Sequence, residues 1–227
     1  MPNATGGLFH ALSGHESGSF LGTCFAYRDS RVLVTAAHCV GNLPQDEIVA
    51  VWSPGPVVRR ATVVTKHPEA DIAVVSVPAA GDPIEVFSRI IPYQTLGEDF
   101  YSVGFTEVAP PNAPRHPMAR LYKGHFQTFY SYESFFGYRY AAGEISIPAP
   151  GGLSGGPVFL PPDQRTVIAM VTENVNSALV LDSVEEVSED GKEYKALYQS
   201  ISRFGVVLML APVAEWVDAQ VSQIVAA

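Results

Sequence analysis

The chain has 227 residues, 47% of them apolar and 16% charged, which is enough apolar chain to bury a sizeable core and excludes a disordered protein. Its formal net charge of −9 argues against a nucleic-acid partner or an anionic membrane surface, because both are bound mainly by Lys and Arg. Two cysteines are too few for a disulfide scaffold or a four-ligand zinc site.

The start of the chain, residues 1–7, has neither a basic region nor an apolar run, so we expect no signal peptide. No stretch approaches the ~18 uninterrupted apolar residues of a membrane span. We therefore expect a cytoplasmic protein without a membrane partner, or a secreted one if a leader has been removed.

Short segments rich in β-branched residues run through most of the chain. Nineteen Gly and eighteen Pro residues supply turn signals between them. Short strands at this spacing are typical of an all-β sandwich or barrel rather than of βαβ units. The stretch 78–97 divides the strands into two sets. The predicted strands are Arg31–Thr35, Ile48–Trp52, Val57–Thr65, Ile72–Val77, Tyr101–Phe105, Leu121–Tyr132, Val167–Thr172 and Gly205–Leu210.

Three other segments have patterns of their own. The aromatic residues between Phe126 and Tyr140 are expected to pack on the core, with an apolar substrate groove as the alternative. The acidic segment Asp182–Lys195 predicts a solvated loop. After Pro212 the apolar residues recur at helical spacing, which predicts one C-terminal amphipathic helix packed on a β body.

A serine flanked by small residues lies in the segment Gly151–Pro157. Backbone N–H groups of such a segment can turn toward one point, which suits the negative charge that develops on a carbonyl oxygen during acyl transfer. The alternative is a Gly-rich turn before the strand Val158–Leu160. Ser154 is thus a candidate nucleophile, provided that a base activates it.

The candidate base is His38, which follows an apolar strand within Thr35–Cys39. By itself it would more often be a buried, hydrogen-bonded histidine. The third partner would be a carboxylate that fixes the imidazole tautomer. Asp71 opens the apolar strand Ile72–Val75, where a carboxylate is costly to bury without a partner. Asp71 could equally be a turn residue at the start of that strand.

The order of these residues separates the known triad folds. The last histidine is His125, so none follows Ser154, and this excludes the α/β-hydrolase order of Ser, acid and His. The subtilisin order needs an Asp before His38, where only Asp29 lies. The order His38, Asp71, Ser154 is that of the chymotrypsin template.

With these motifs the chain resembles the chymotrypsin-like (trypsin-fold) serine peptidases. The resemblance implies an all-β fold of two antiparallel β-barrels with a C-terminal α-helix. It divides the chain into 1–90 with His38 and Asp71, 91–211 with Ser154, and the helix 212–227. The motifs that carry it are Thr35–Cys39, Asp71–Val75, Gly152–Pro157, Ser102–Phe105, Phe204–Val207 and Glu215–Val217.

The resemblance also implies roles for individual residues. Ser154 would be the nucleophile of an endopeptidase that forms an acyl-enzyme, His38 the general base and acid, and Asp71 the orienting carboxylate. The N–H groups of Gly152 and Ser154 would form the oxyanion hole. Cys24 and Cys39 match a pair that forms a disulfide in many members, and a reducing cytoplasm would keep it open.

The departures from the family pattern bear on regulation. Leu153 stands where animal members carry Asp, and no Ile-Val-Gly-Gly start exists, so activation by an N-terminal salt bridge is not expected. In this the chain is nearer to the bacterial HtrA-like and short trypsin-like peptidases. The second barrel is either pre-formed or shaped by a regulatory protein partner. A peptide-binding relative that has lost turnover is the alternative function.

The resemblance to the family also implies a substrate preference. Pro148 stands at the pocket floor where an Asp would select basic residues, so we expect small or apolar side chains before the cleaved bond. Gly205 and the segment Thr172, Glu173 and Asn174 would line the pocket, and the Thr172 hydroxyl would support Asp71. Glu173 could still attract a basic group. We expect no metal and no cofactor, because no His-Glu-x-x-His pattern occurs.

Overall fold

The computed structural model describes residues 4–11, 19–52, 57–79, 84–93, 95–106, 117–161, 165–187 and 193–227. Two seven-stranded sheets hold the strands of these ranges. The first sheet has the order β5-β4-β1-β2-β3-β7-β6. Its strands are β1 Thr5–His10, β2 Phe20–Tyr27, β3 Asp29–Thr35, β4 Ile48–Trp52, β5 Val57–Arg60, β6 Val63–Lys66 and β7 Ala73–Ser76.

The first sheet closes through the chain itself. Strands β5 and β6 stand at opposite ends of the strand order, yet only Ala61 and Thr62 separate them in sequence. The N–H of Ala61 donates to Ile48 O at 2.8 Å, and that of Thr62 donates to Ser76 O at 2.8 Å. The segment that the sequence predicts as one strand, Val57–Thr65, is therefore two strands joined at a bend that completes a barrel.

The second sheet is a barrel closed by hydrogen bonds. Its order is β12-β9-β10-β11-β14-β13-β8, and a further pairing of β12 with β13 completes the ring. All its pairings are antiparallel except the two-residue pairing of β8 with β13. The strands are β8 Arg89–Ile90, β9 Asp99–Thr106, β10 Met118–Glu133, β11 Arg139–Ile145, β12 Pro157–Phe159, β13 Thr166–Val187 and β14 Glu193–Met209.

The acidic segment Asp182–Lys195 is not the solvated loop that its charge predicts, as far as the described residues go. Strand β13 continues to Val187, and β14 begins at Glu193. Glu185 stands opposite Lys195 in their register. The backbone N–H and C=O groups of the two strands bond to each other instead of to water. The acidic side chains therefore lie on a two-stranded ribbon rather than on a loop.

Two α-helices complete the described chain, α1 Ala37–Val40 and α2 Ala214–Ala226, the second entered through the 3₁₀ turn Ala211–Val213. The C-terminal helix agrees with the sequence prediction. Its residues Val217 and Val221 belong to a buried cluster that also takes in residues of both sheets. In the described part of the chain, neither helix has the length and apolar character needed to cross a membrane.

The helix is also tied to the first barrel by polar contacts. The carboxylate of Asp218 accepts hydrogen bonds from Tyr27 Oη at 3.1 Å and from the guanidinium of Arg28 at 2.9 Å. Since Tyr27 is fully buried at the end of β2, this contact fixes where the helix lies on the barrel. The shared core and the docked helix join the two sheets.

Candidate active site

Strand pairing brings His38 and Asp71 together. In the antiparallel register of β3 and β7, Thr35 stands opposite Ala73. His38 lies three residues beyond one member of this pair and Asp71 two residues before the other. The imidazole Nδ1 lies 2.6 Å from Asp71 Oδ2, and the backbone N–H of His38 donates to Asp71 Oδ1 at 2.9 Å. The carboxylate is fully buried and has the partner that such burial demands.

The environment of His38 raises its basicity. Burial of the ring lowers its pKa, but the hydrogen bond to Asp71 and the nearby Cys39 thiol outweigh that effect and raise the pKa of His38 to about 10. Cys39 Sγ lies 3.7 Å from Nε2, the ring nitrogen on the side away from Asp71. The same sulfur lies 3.6 Å from the carbonyl oxygen of Ser154. His38 and Ser154 therefore border one site.

The segment before Ser154 forms a tight turn. The N–H of Leu153 donates to Pro150 O at 3.0 Å. Gly152 occupies the third position of this turn with φ +90°, a conformation that glycine adopts without strain. Among the backbone hydrogen bonds of the described residues, neither the N–H of Gly152 nor that of Ser154 has an acceptor. The two N–H groups that the family resemblance assigns to an oxyanion hole are thus without a backbone partner there, and their joint role stays a prediction.

Thr23, which sequence reasoning missed, holds this turn in place. Its hydroxyl donates to Gly152 O at 2.8 Å and accepts the N–H of Phe105 at 2.9 Å. Its own N–H donates to Ser154 O at 2.8 Å. A buried residue of the first barrel thus fixes the serine turn of the second. No local pattern could have found it, because Thr23 and Gly152 are 129 residues apart in the chain.

The Ser154 side chain points to the edge of β13. Its Oγ donates to Thr172 O at 2.6 Å. Among the hydrogen bonds of the described residues, none joins Oγ to His38 Nε2. A change of the Ser154 rotamer would turn the hydroxyl away from Thr172, and such a change is an ordinary side-chain motion. The two groups share a site but are not hydrogen-bonded in this conformation.

Thr172 itself has a different role from the one that the family resemblance implies. Its hydroxyl donates to Val206 O at 2.9 Å and accepts a hydrogen bond from Tyr140 Oη at 3.0 Å, so it does not support Asp71. Tyr140 Oη also lies 3.3 Å from Glu173 Oε1. Burial raises the pKa of the Glu173 carboxyl, while the N–H of Phe135 and the Tyr140 hydroxyl act in the opposite direction.

The residues expected to line a substrate pocket lie together next to Ser154. The Asn174 side chain binds the backbone of Ala149 twice: its Oδ1 accepts the Ala149 N–H at 2.5 Å, and its Nδ2 donates to Ala149 O. Gly205 packs against the same segment through its N–H, which donates to Ile147 O at 2.8 Å. Pro148 is exposed between these contacts. These bonds tie β13, through Asn174, and β14, through Gly205, to the segment 147–149.

An aromatic ring that the sequence places in the core lies over His38 instead. The phenyl ring of Phe136 stacks on the imidazole with 4.5 Å between ring centroids and an angle of 7° between the planes. Phe136 is 52% exposed and its neighbour Phe135 is 91% exposed. The prediction that the whole aromatic cluster packs on the core is wrong for these two residues, because the tip of the β10–β11 hairpin extends past the core to the site.

Cys24 and Cys39 are free thiols in the structure, and both are buried. The Cys24 thiol donates to Gly6 O at 3.5 Å. Burial raises the pKa of the Cys24 thiol, and proximity to Cys39 adds to the effect. The Cys39 thiol contacts His38 and Ser154 instead. The disulfide that the family resemblance implies is therefore not formed in this state.

Solved structures resemble this chain over nearly its whole length. The MamO protease domain from Magnetospirillum magneticum has a TM-score of 0.61 at 14% identity, with 94% of this chain and 95% of that chain covered. The Rv3671c protease from M. tuberculosis in its active form has a TM-score of 0.62 at 18% identity, with coverage of 94% and 79%. The HtrA-type protease AlgW with a decapeptide has a TM-score of 0.61 at 14% identity, with coverage of 97% and 65%.

These identities show the fold alone, and no curated protein matches the chain in sequence. The family assignment comes from a sequence profile. The profile of the trypsin-like peptidase domain matches residues 22–170, which include His38, Asp71 and Ser154. With two β-barrels, a C-terminal helix and this match, the chain belongs to the trypsin-like peptidase domain family.

Proposed function

We propose that the protein is a serine endopeptidase that cleaves peptide bonds through an acyl-enzyme. The observation that carries this proposal is the pair of hydrogen bonds from His38 to the buried Asp71 at the border of the Ser154 site. A buried carboxylate on Nδ1 fixes the tautomer in which Nε2 carries no proton, so that Nε2 can accept one; in this conformation Nε2 lies 3.7 Å from Cys39 Sγ. Because the pKa of His38 is raised to about 10, the ring is neutral and able to act as this base at alkaline pH.

The proposed reaction has two halves. Ser154 Oγ attacks the substrate carbonyl carbon while its proton moves to His38 Nε2, and the electron pair of the carbonyl bond moves to the oxygen. The N–H groups of Gly152 and Ser154 bind this oxyanion. The C–N bond then breaks, and His38 gives its proton to the leaving amine. A water molecule, deprotonated by His38, releases the acyl group from Ser154 by the same steps.

An extended peptide has a binding edge next to this serine. Strand β13 pairs with β12 as far as Met170, and Val171 exchanges hydrogen bonds with Gly155 and Gly156. Beyond Val171 no described strand pairs with this edge of β13. A substrate added as a further strand would gain main-chain hydrogen bonds there, as in other cases of strand addition. This edge favours peptides over small esters.

The test is labelling with a fluorophosphonate, which reacts with an activated serine. We expect one label per chain, on Ser154, and none in the Ser154→Ala variant. Ser131→Ala, which removes an exposed serine of β10, is the matched control and should label like the wild type. Labelling that persists in Ser154→Ala would overturn the assignment of the nucleophile.

A second function is favoured by one contact. Because Ser154 Oγ donates to Thr172 O rather than to His38, a protein fixed in this conformation would bind peptides without cleaving them. Incubation with casein and with a peptide library, followed by mass spectrometry, separates the two functions. New peptides that depend on Ser154 support the endopeptidase. Binding of peptides without any cleavage by the folded protein supports the binding role.

A further inference from the structure

Two side chains fill the space around the cleaved bond in the proposed peptidase, and the inference drawn from them rests on that function. An extended peptide along the free edge of β13 points successive side chains to opposite sides. The residue whose carbonyl is attacked, here called the acyl residue, is held by the turn that contains Gly152. In that position its side chain would face Ala149, which lies on the same segment. The side chain of the preceding residue would then face the opposite side, toward His38.

Asn174 closes the first of these sides. Its carboxamide bridges from β13 to both backbone groups of Ala149, so it spans the slot that the acyl side chain would enter. Displacing it would break two hydrogen bonds that hold the walls together. A methyl group or a hydrogen at the acyl residue needs no such displacement. The slot therefore favours Gly, Ala or Ser at the acyl residue over any larger side chain.

Phe136 fills the second side. Its ring lies parallel to the imidazole at stacking distance, where the side chain of the preceding residue would otherwise rest. Within the tip of the hairpin, Ser134 N–H donates to Tyr138 O at 2.8 Å, and Gly137 N–H donates to Ser134 O at 3.0 Å. The N–H of Phe135 also donates to the Glu173 carboxylate. These bonds order the backbone of the hairpin tip that carries Phe136, and the ring itself rests on the imidazole.

We propose that Phe136 and Asn174 restrict the substrate to extended peptides with small side chains at both the acyl residue and the residue before it. Asn174 acts on the acyl residue, and Phe136 acts on the preceding residue. The substrate class is thus a flexible, small-residue segment such as Ala-Ala or Gly-Ala within a polypeptide. Bulky aromatic or branched residues at either position would have to push a wall away before the carbonyl could reach Ser154.

The experiment compares kcat/KM for three peptides that differ only before the cleaved bond: Ala-Ala, Leu-Ala and Ala-Leu. The wild type should prefer Ala-Ala over the other two by at least about tenfold, the discrimination that one excluded side chain gives. Phe136→Ala should raise kcat/KM about tenfold for Leu-Ala alone, and Asn174→Ala about tenfold for Ala-Leu alone. Leu121→Ala and Gln127→Ala remove exposed side chains of β10 and should leave the ranking unchanged.

The proposal and the peptidase function fail in different ways. Fluorophosphonate labelling of Ser154 with an unchanged peptide ranking in both variants would keep the peptidase and overturn the proposal. If Phe136→Ala raises kcat/KM for all three peptides and the labelling rate equally, Phe136 is a general lid, and the proposal is wrong. The same peptides titrated into Ser154→Ala variants give affinities that test the ranking without turnover, so loss of catalysis leaves the proposal testable.

Discussion

His38 holds Asp71 at both carboxylate oxygens, through its ring Nδ1 to Oδ2 and through its own backbone N–H to Oδ1. His38 thus makes two hydrogen bonds to the same carboxylate, one from its ring and one from its backbone N–H. The carboxylate cannot rotate without losing one of these bonds. The imidazole is therefore held in one orientation by a buried group that has no exposed surface.

Replacing Asp71 with Asn keeps the shape of the side chain but presents an amide to Nδ1. The ring would then be held in the wrong tautomer, and we expect kcat to fall about 10⁴-fold, the effect of this change in such triads. The measurement is kcat on a cleaved peptide, with circular dichroism to show retained folding. Asp99→Asn, which alters an exposed carboxylate paired with Lys123, is the control, and equal losses in both variants would contradict the assignment.

The raised pKa of His38 predicts an alkaline pH profile. Because the base must be neutral to accept the Ser154 proton, kcat/KM should rise with pH above the ordinary histidine value of about 6.5 and level off only near the shifted pKa of about 10. A profile of kcat/KM from pH 5 to 11 measures this limb. An acid limb centred at or below 6.5 would show that Asp71 does not raise the pKa of His38.

The same pKa shift links stability to pH. Folding raises the pKa of His38, so protonated His38 stabilises the fold fully below the unfolded pKa of about 6.5. That contribution is lost as the pH rises through about 10. The free energy of unfolding, measured by denaturant titration across this range, should fall more steeply for the wild type than for His38→Ala. Parallel curves for the two proteins would count against the linkage.

Thr23→Val removes the hydroxyl that joins the serine turn to β9. The half-buried Gly152 carbonyl and the buried Phe105 N–H would lose their partner, which destabilises the fold by about 1–3 kcal/mol. We also expect kcat/KM to fall about 10- to 100-fold, because a small shift of the Gly152 turn misplaces its N–H. Thr128→Val, an exposed change on β10, is the control. Unaltered activity in Thr23→Val would mean that the turn holds itself.

Gly155 and Gly151 offer a matched pair of glycines in one segment. Gly155 has φ +86°, and a Cβ there would overlap Thr23 O, whereas Gly151 has open space. Gly155→Ala should destabilise the fold by more than about 3 kcal/mol, the upper range for left-handed strain alone. Gly151→Ala should change stability by less than about 1 kcal/mol. Thermal unfolding compares them, and similar melting temperatures would be the contrary result.

The sequence predicts the parts of the fold that depend on local patterns. Period-two segments and turn residues give most strands, and helical spacing gives α2. His38 and Asp71 come together because the apolar segment before His38 pairs with the apolar segment after Asp71. The motif order adds Ser154. The fold predictions are confirmed, because each uses residues close together in the chain or a spacing shared with a known family, whereas Ser154 as the nucleophile stays a prediction.

Contacts between residues far apart in the chain cannot be predicted from local sequence patterns. Thr23 is an ordinary threonine in a β-strand, and its hold on Gly152 depends on how two barrels meet. Phe136 looks like a core residue because neighbouring aromatics do pack inward, yet the hairpin tip carries it past the core. The bend at Ala61 and Thr62 has no Gly or Pro to signal it. In each case tertiary geometry overrides a local preference.

The contact between Cys39 and Ser154 spans 115 residues of sequence, and this separation matters while the polypeptide is being made. A chain emerging from the ribosome exposes its imidazole long before the hydroxyl that it would deprotonate. Without the later segment, the early half has a base but nothing to activate. In the proposed peptidase, activity would therefore arise only once the second barrel has folded against the first and brought Ser154 to His38.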